Sequence, residues 1–209
     1  VLKKYPEVVC CLDAVSSMGG TKIEVDKLGI DICITSTQKC FGLPPGMSMA
    51  SISQKAINAA KEVKYRGSYL DLLELYNYIQ KKDYQYPSTP ALSIMYAMDY
   101  QLDKILDEGL ENRFDRHLKM AQYVRAWAKE NFELFPKEEY ASNTLTTIKN
   151  TKEIDVSLLN KELGNRGYVI SNGYGELKDK TFRISHMGDY TIDDVKDLLE
   201  NIDEILNNS

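Results

Sequence analysis

The sequence predicts an α/β fold in residues 1–134, followed by a small α+β domain in residues 135–209. Two apolar runs, at 8–12 and 31–35, show little alternation with polar side chains. Such runs are typical of strands buried on both faces of a mostly parallel sheet. Residues 91–132 carry apolar side chains at helical spacing, and short alternating elements follow from about residue 135. These observations predict both the fold class and the division into two domains.

The other elements of the first domain have local signals. Residues 47–53 predict a third strand, and Ser53 is a suitable N-cap for a helix over 54–63. A second helix is predicted over 71–82. The two prolines of the segment 86–90 then predict an extended stretch.

The rest of the chain predicts helices and strands in short succession. Gly109 is expected to divide the long helical region into two helices. Beyond it, runs of apolar and β-branched residues predict three strands and two helices. These are a strand at 144–149, a helix at 156–163, strands at 168–171 and 181–185, and a helix at 192–206.

The composition disfavours several kinds of partner. With 26 basic and 31 acidic side chains, the net charge is −5, which argues against binding to nucleic acid or to an anionic membrane. No apolar run approaches the roughly 20 residues that span a bilayer. The four cysteines show no CxxC spacing, and the only histidines, His117 and His186, lie far from them in sequence. We therefore expect no metal site, and a cytoplasmic location.

The start of the sequence predicts that a part of the fold is missing. The chain opens at Val1, without methionine, and almost at once enters a run that should form a central strand. A doubly wound sheet needs several more strands than this sequence supplies. We therefore expect that an N-terminal half is absent and that apolar surface is exposed in its place.

Lys39 carries the clearest chemical signal. It follows the run at 31–35 and precedes a cluster of glycines and prolines at 42–46. The first apolar run ends in Asp13, so an amine and a carboxylate are expected at neighbouring strand ends. An enzyme that uses pyridoxal phosphate needs this pair. The amine binds the cofactor aldehyde as a Schiff base, and the carboxylate keeps the pyridine nitrogen protonated.

Four segments of the sequence, in order and in register, carry a resemblance to a known family. They are LDAVSSMGG (12–20), DICITSTQKCFGLPPG (31–46), YPSTP (86–90) and FRISHMG (182–188). The chain resembles the class V, fold-type I aminotransferases that depend on pyridoxal phosphate, in particular the alanine–glyoxylate and serine–pyruvate aminotransferases. The resemblance covers nearly the whole chain. It implies the C-terminal part of the family's large domain followed by its small domain.

The resemblance implies a role for four residues beside the cofactor. Lys39 matches the lysine that forms the Schiff base and later moves the substrate proton. Asp13 matches the partner of the pyridine nitrogen, and Val15 matches a residue that packs on one face of the ring. Gln38 matches a residue near the cofactor phosphate.

Three further residues match parts of the site that lie farther along the chain. Tyr86 and Thr89 match residues that reach across a homodimer to the phosphate of the partner's cofactor. Arg183 matches the residue that binds the substrate α-carboxylate. Because side chains alternate along a strand, Arg183 should point away from the face that carries Phe182 and Ile184.

The implied activity is ping-pong transamination between a small amino acid and a 2-oxo acid. Alanine, serine or aspartate would be the donor, and glyoxylate or pyruvate the acceptor. Other chemistry of the same class, that of a cysteine desulfurase or a lyase, is an alternative. Gln38 stands where desulfurases usually have histidine, and no cysteine follows Cys40. An inactive fragment that serves only as a dimerisation module is the third hypothesis, since the phosphate loop and the stacking aromatic of the family are not visible.

Overall fold

A computed structural model of the protein describes residues 4–81 and 85–208. These residues form two compact units. The first contains the described residues up to Val15 together with Ile23–Asp103. The second contains Ser16–Lys22 together with the described residues from Lys104 onward. The chain therefore leaves the first unit after Val15 and returns to it at Ile23.

The first unit is built around a three-stranded sheet. Its strands, in spatial order, are β1 (Cys11–Asp13), β2 (Ile32–Ser36) and β3 (Ser48–Ile52). β1 pairs with β2 in parallel, and β3 pairs with β2 in antiparallel orientation. The helices of this unit are α1 (Val25–Leu28), α2 (Gln54–Lys61), α3 (Leu72–Lys81) and the first part of α4 (Leu92–Glu108).

Asp31 joins the start of β2 to the residue before β1 and to α2. Its buried carboxylate accepts hydrogen bonds from the backbone N–H of Cys10 at 2.9 Å, the hydroxyl of Ser53 at 2.8 Å and the amine of Lys55 at 3.0 Å. These donors, the Cys10 N–H most of all, lower the pKa of Asp31. Ser53 in turn accepts a hydrogen bond from the N–H of Ala56 at 3.1 Å, which confirms it as the N-cap of α2.

Thr37 closes the loop that connects β2 to β3. This side chain is fully buried, and its hydroxyl donates a hydrogen bond to the carbonyl oxygen of Pro44 at 2.7 Å. Its backbone N–H donates to the carbonyl of Met47 at 3.1 Å, and its own carbonyl accepts from the N–H of Leu43 at 3.1 Å. One residue directly after β2 therefore holds the loop at three points.

The second unit combines the end of α4 and three further helices with a four-stranded antiparallel sheet. The sheet has the order β4-β5-β7-β6. Its strands are β4 (Glu133–Leu134), β5 (Leu145–Lys149), β6 (Ser171–Asn172) and β7 (Thr181–Ser185), and its helices are α5 (Leu110–Asn131), α6 (Val156–Asn165) and α7 (Ile192–Asn207).

All three helices and the central strands supply side chains to one apolar core in the second unit. Members of this core include Met120, Val124, Trp127, Ile148, Leu159, Leu163, Phe182, Ile184, Leu199 and Ile202. Asp155 caps α6 by accepting from two backbone N–H groups, and Thr191 forms a capping box with Asp194 at the start of α7. The helix starts and the core thus agree with the sequence pattern.

Buried polar contacts attach the segment after Val15 to the second unit. The Nε of Arg113 donates to the carbonyl of Gly19 at 3.0 Å, and the same guanidinium pairs with Glu108 at 2.8 Å. The hydroxyl of Thr144 donates to the carbonyl of Ser16 at 2.6 Å. Arg113 is only 1% exposed, so breaking its contacts would leave a buried charge without compensation.

The α/β class is confirmed, and most predicted elements end within two residues of the observed ones. The strand predicted at 8–12 is wrong in its bounds, because the N–H of Cys10 is bonded to a side chain and pairing with β2 begins only at Cys11. Burial on both faces is also wrong for these strands, since Cys11 and Ile34 are exposed. The helix predicted at 71–82 is observed to Lys81, and residue 82 lies outside the described residues.

The strand predicted at 168–171 is mostly wrong. Only Ser171 and Asn172 form β6. Val169 is 82% exposed, and the N–H of Ile170 donates to the side chain of Asn160 at 2.9 Å. This apolar segment is therefore a loop with one buried residue, Ile170. It does not form a strand, because the N–H of Ile170 is bonded to a side chain and not to a neighbouring strand.

The observed units divide elsewhere than the predicted boundary between residues 134 and 135. α5 belongs to the second unit, because its buried face contributes Met120, Val124 and Trp127 to the core of that unit. The sequence pattern of α5 indicates that one face of the helix is apolar, but it does not indicate which sheet that face covers.

None of the helices in the described parts of the chain is both long and apolar enough to cross a membrane.

Two histidines are fully buried in the second unit. The Nε2 of His186 lies 2.9 Å from the hydroxyl of Thr146, and the Nδ1 of His117 lies 2.8 Å from the carbonyl of Arg113. Burial, helped by the charge of Arg125, lowers the pKa of His186 to about 4. Burial also lowers the pKa of His117. Both rings are therefore neutral near pH 7.

Removing the hydroxyl of Thr37 should destabilise the first unit. Thr37→Val keeps the shape of the side chain but leaves the carbonyl of Pro44 without its partner, at a cost of about 1–3 kcal/mol. Thr35→Val is the matched control, because the Thr35 hydroxyl is buried without a partner and its loss should be neutral or stabilising. Urea unfolding of the two variants measures the difference, and equal stabilities would contradict the role given to Thr37.

Lowering the pH from about 6.5 to about 4 should destabilise the second unit. The pKa of His186 is lower in the folded than in the unfolded protein, so the unfolded state takes up the proton first. Stability that is fully present above pH 6.5 is therefore lost as the pH falls toward 4, by about 3 kcal/mol for the full shift.

Urea unfolding followed by the fluorescence of Trp127, the single tryptophan, measures this loss. In His186→Gln the loss between pH 6.5 and pH 4 should be smaller than in the wild type by about the same amount. Equal losses in the two proteins would show that His186 is not the responsible group.

Candidate active site

Lys39 lies in the turn that follows β2. Its carbonyl accepts a hydrogen bond from the N–H of Gly42 at 2.9 Å, and its side chain is half-buried. The next two residues, Cys40 and Phe41, are buried and anchor the turn. Gln38, on the other side of Lys39, is exposed. The amine is therefore carried by a backbone that is fixed both before and after it.

Gly46 allows the same loop to pass close to α4. Its φ angle is +146°, in a region that disfavours other residues, and a Cβ at this position would lie 2.5 Å from Cδ1 of Ile94. Position 46 therefore requires glycine for steric reasons, because only glycine lets the loop after Lys39 pass α4 and return to β3.

Asp13 ends β1 at the same edge of the sheet at which β2 ends. In the parallel ladder Asp13 is aligned with Ile34, two residues before β2 ends at Ser36. Its Oδ1 accepts a hydrogen bond from the N–H of Val15 at 2.9 Å. The carboxylate is exposed, and its Oδ2 has no hydrogen-bond partner among residues 4–81 and 85–208. One oxygen thus shapes the turn and the other is available to a ligand.

Two hydroxyl groups in the last two positions of β2 were not predicted as site residues. Thr35 and Ser36 are buried, and within the described chain neither hydroxyl has a hydrogen-bond partner. Buried polar groups normally have partners, so an unsatisfied hydroxyl near Lys39 fits a site for a ligand with several oxygen atoms, such as a phosphate. Because successive side chains of a strand point to opposite faces, Ser36 and not Thr35 shares the face of Ile34, the residue with which Asp13 is aligned. The signal in the sequence is the run of three hydroxyl residues directly before Gln38.

Tyr86 and Thr89 lie on an exposed segment of the first unit that bends at Pro87 and Ser88, so the extended stretch predicted over 86–90 is wrong. Both line an open hollow of about 540 Å³ that also involves Leu92 and Met95 of α4. Neither Lys39 nor Asp13 is among the residues that line this hollow. The structure therefore brings Tyr86 and Thr89 together with each other and with α4.

Arg183 is in the second unit, on β7. Phe182 and Ile184 are fully buried, whereas Arg183 is half-buried, which confirms the predicted alternation. Its Nε and Nη2 donate to the carbonyl of Asn172 at 3.2 and 3.0 Å. The guanidinium carbon lies 4.0 Å from the ring centroid of Tyr174. The sequence did not predict either partner.

The described parts of the chain contain no cluster of three or more histidine, cysteine, aspartate or glutamate side chains that could hold a metal ion. Pyridoxal phosphate is the group that the donor set fits. A free carboxylate oxygen on Asp13, the amine of Lys39 and the unsatisfied hydroxyl of Ser36 are compatible in type with its pyridine nitrogen, its aldehyde and its phosphate.

Comparison with known proteins identifies the family of the chain. The family model described as "Aminotransferase class-V" matches residues 1–198. An uncharacterized aminotransferase of Methanocaldococcus jannaschii is 40% identical over 191 residues, which are 90% of this chain and 49% of that protein. A serine–glyoxylate aminotransferase of Arabidopsis thaliana is 32% identical over 191 residues, which are 88% of this chain and 46% of that protein.

A solved structure shows the same fold. The crystal structure of an alanine–glyoxylate aminotransferase from Nostoc sp. superposes with a TM-score of 0.88 at 26% identity. The match covers 98% of this chain and 55% of that one. The chain thus spans about half the length of the relatives it matches. With a family model that covers residues 1–198, the chain belongs to the class-V aminotransferase family.

Proposed function

We propose that the protein to which this chain belongs catalyses transamination between a small amino acid and a 2-oxo acid, with pyridoxal phosphate as cofactor. The observation that carries the proposal is the placement of Asp13 and Lys39 at the same edge of a parallel strand pair. Membership of the class-V aminotransferases and relatives that act on serine and glyoxylate support it.

Besides Lys39, four residues of the first unit would hold the cofactor. Asp13 would accept a hydrogen bond from the pyridine nitrogen through its free oxygen, and Val15 would pack against the ring. Gln38 and the buried hydroxyl of Ser36 would bind the phosphate. When bound, the cofactor supplies an aldehyde for the amino group and a ring that withdraws electrons from the substrate α-carbon.

Lys39 has two tasks in this proposal. Its amine would hold the cofactor aldehyde before the substrate arrives. Once the substrate amine has displaced it, Nζ would move the proton that leaves the substrate α-carbon. A fixed backbone suits the second task, because proton transfer requires the base within hydrogen-bond reach of that atom.

Arg183 would bind the α-carboxylate that amino acids and 2-oxo acids share. Its planar guanidinium suits a carboxylate, because two parallel N–H groups meet two oxygens. Alanine, serine or aspartate as donor and glyoxylate or pyruvate as acceptor are the substrates we propose.

We also propose a homodimer in which Tyr86 and Thr89 reach the partner's cofactor phosphate. Both side chains carry a hydroxyl on an exposed segment, where a second copy has access to them. In this arrangement each active site would be built from two chains.

The role of the Lys39 amine as the group that binds the cofactor aldehyde is tested in the longest natural protein that contains this sequence. We call it the full-length protein. Added pyridoxal phosphate should give a protein-bound visible absorbance band in the wild type and no such band in Lys39→Ala. Lys61→Ala, which removes an exposed amine of α2, is the control and should keep the band. A band that survives in Lys39→Ala would contradict the proposal, and a folded dimer that binds no cofactor would favour the dimerisation module.

Arg183→Ala should chiefly weaken recognition of the carboxylate. Loss of one partner of a desolvated charge pair costs about 2–5 kcal/mol. Steady-state kinetics of the full-length protein should therefore show a fall in kcat/KM for the amino acid and the 2-oxo acid alike. Unchanged kinetics would place Arg183 outside the site.

A further inference from the structure

The guanidinium of Arg183 has one occupied edge and one available edge. An arginine side chain has five N–H donors in one plane. The carbonyl oxygen of Asn172 takes the Nε donor and one Nη2 donor. Both Nη1 donors and the second Nη2 donor remain, and Nη1 makes no hydrogen bond within the described residues. A carboxylate can therefore form two parallel hydrogen bonds only at the Nη1–Nη2 end.

Tyr174 lies against the face of the same group. Its ring centroid is 4.0 Å from the guanidinium carbon, within the range of a favourable contact between a cation and an aromatic ring. Contact with the face leaves the in-plane donors accessible. The carbonyl and the ring together thus limit both the translation and the rotation of the guanidinium.

The loop that carries Tyr174 is held in place by its own hydrogen bonds. The Oδ1 of Asn172 accepts from the N–H of Gly173 at 2.7 Å and from the N–H of Asp179 at 2.9 Å. The carbonyl of Tyr174 accepts from the N–H of Leu177 at 2.9 Å. A Cβ at Gly173 would collide with the carbonyl oxygen of Leu177, so the loop closes in this way only with glycine at this position.

We infer that Tyr174 is a positioning residue for the substrate carboxylate: its ring holds the Arg183 guanidinium so that the Nη1–Nη2 end receives the carboxylate. The inference rests on the proposed function, because it takes Arg183 as the carboxylate-binding residue. A guanidinium that is already ordered loses less side-chain entropy when the substrate binds, and this difference appears as affinity. Tyr174 itself is 77% exposed and contributes little to the core.

The test compares four variants of the full-length protein and keeps a fifth in reserve. Tyr174→Leu removes the aromatic face, and Tyr174→Phe retains it. Tyr140→Leu is the matched control, because Tyr140 is 75% exposed in the same unit and lies outside the site. Arg183→Lys tests the proposed function separately. Tyr174→Gln is a second replacement, should Tyr174→Leu not fold.

Two measurements are made on each variant. The first is the shift of the unfolding temperature with propanoate, an unreactive carboxylate, which gives a Kd without turnover. The second is the steady-state kinetics with alanine and pyruvate. In Tyr174→Leu, the Kd for propanoate and the KM of both substrates should rise about 3- to 30-fold, with little change in kcat. Tyr174→Phe and Tyr140→Leu should resemble the wild type.

The possible outcomes separate the two claims. If Arg183→Lys weakens propanoate binding and Tyr174→Leu does not, the inference about Tyr174 is wrong and the proposed role of Arg183 stands. If neither variant changes propanoate binding, or the wild type shows no shift with propanoate, Arg183 does not bind the carboxylate and both claims are overturned. A fall in kcat alone in Tyr174→Leu would also contradict a positioning role.

Discussion

The parallel register of β1 and β2 is the constraint on which the candidate site depends. Asp13 is aligned with Ile34, so both strands end at one edge of the sheet and their following residues start from neighbouring positions. A slip of one residue would turn every side chain of a strand to the opposite face. The buried carboxylate of Asp31, bonded to Cys10 and Ser53, opposes such a slip, because it joins the residue before β1 to the start of β2 and to α2.

The two side chains to which we assign a function, Lys39 and Arg183, are held in a similar way, each within its own unit. Lys39 follows a strand and stands in a loop that Thr37 closes, while Arg183 stands on a strand beside a loop that Asn172 closes. In each case the hydrogen bonds of a neighbour fix the backbone, and the functional group keeps donors available. The hydroxyl of Ser36 is a third such group. It is buried and has no hydrogen-bond partner within the described residues, so it remains available as a donor to a ligand.

Local sequence patterns predicted most elements because the elements depend on local chemistry. The apolar run before Lys39 and the cap at Ser53 need only neighbouring residues to be recognised. Helix α1 was missed because its four residues give no periodic pattern, and β4 because it has only two. The error at 168–171 has the opposite origin: an apolar segment with strand propensity is bonded to Asn160 rather than to a neighbouring strand.

The sequence proposes site residues where a motif contains them, whereas the residues that contact them in the structure were not predicted. Lys39, Asp13 and Arg183 stand in three of the four segments that resemble one family. The contact of Tyr174 with Arg183 and the assignment of α5 to the second unit depend on packing between residues far apart in sequence. Periodicity identifies an apolar or polar face but does not identify the surface that it meets.

The central claim is that Lys39 is the amine that binds the cofactor aldehyde. The direct measurement is reduction of the full-length protein with borohydride after incubation with pyridoxal phosphate, followed by mass spectrometry of its peptides. The account predicts that the peptide containing Lys39 carries the mass of the reduced cofactor. A cofactor attached only to other lysines, or attached to none, would contradict it.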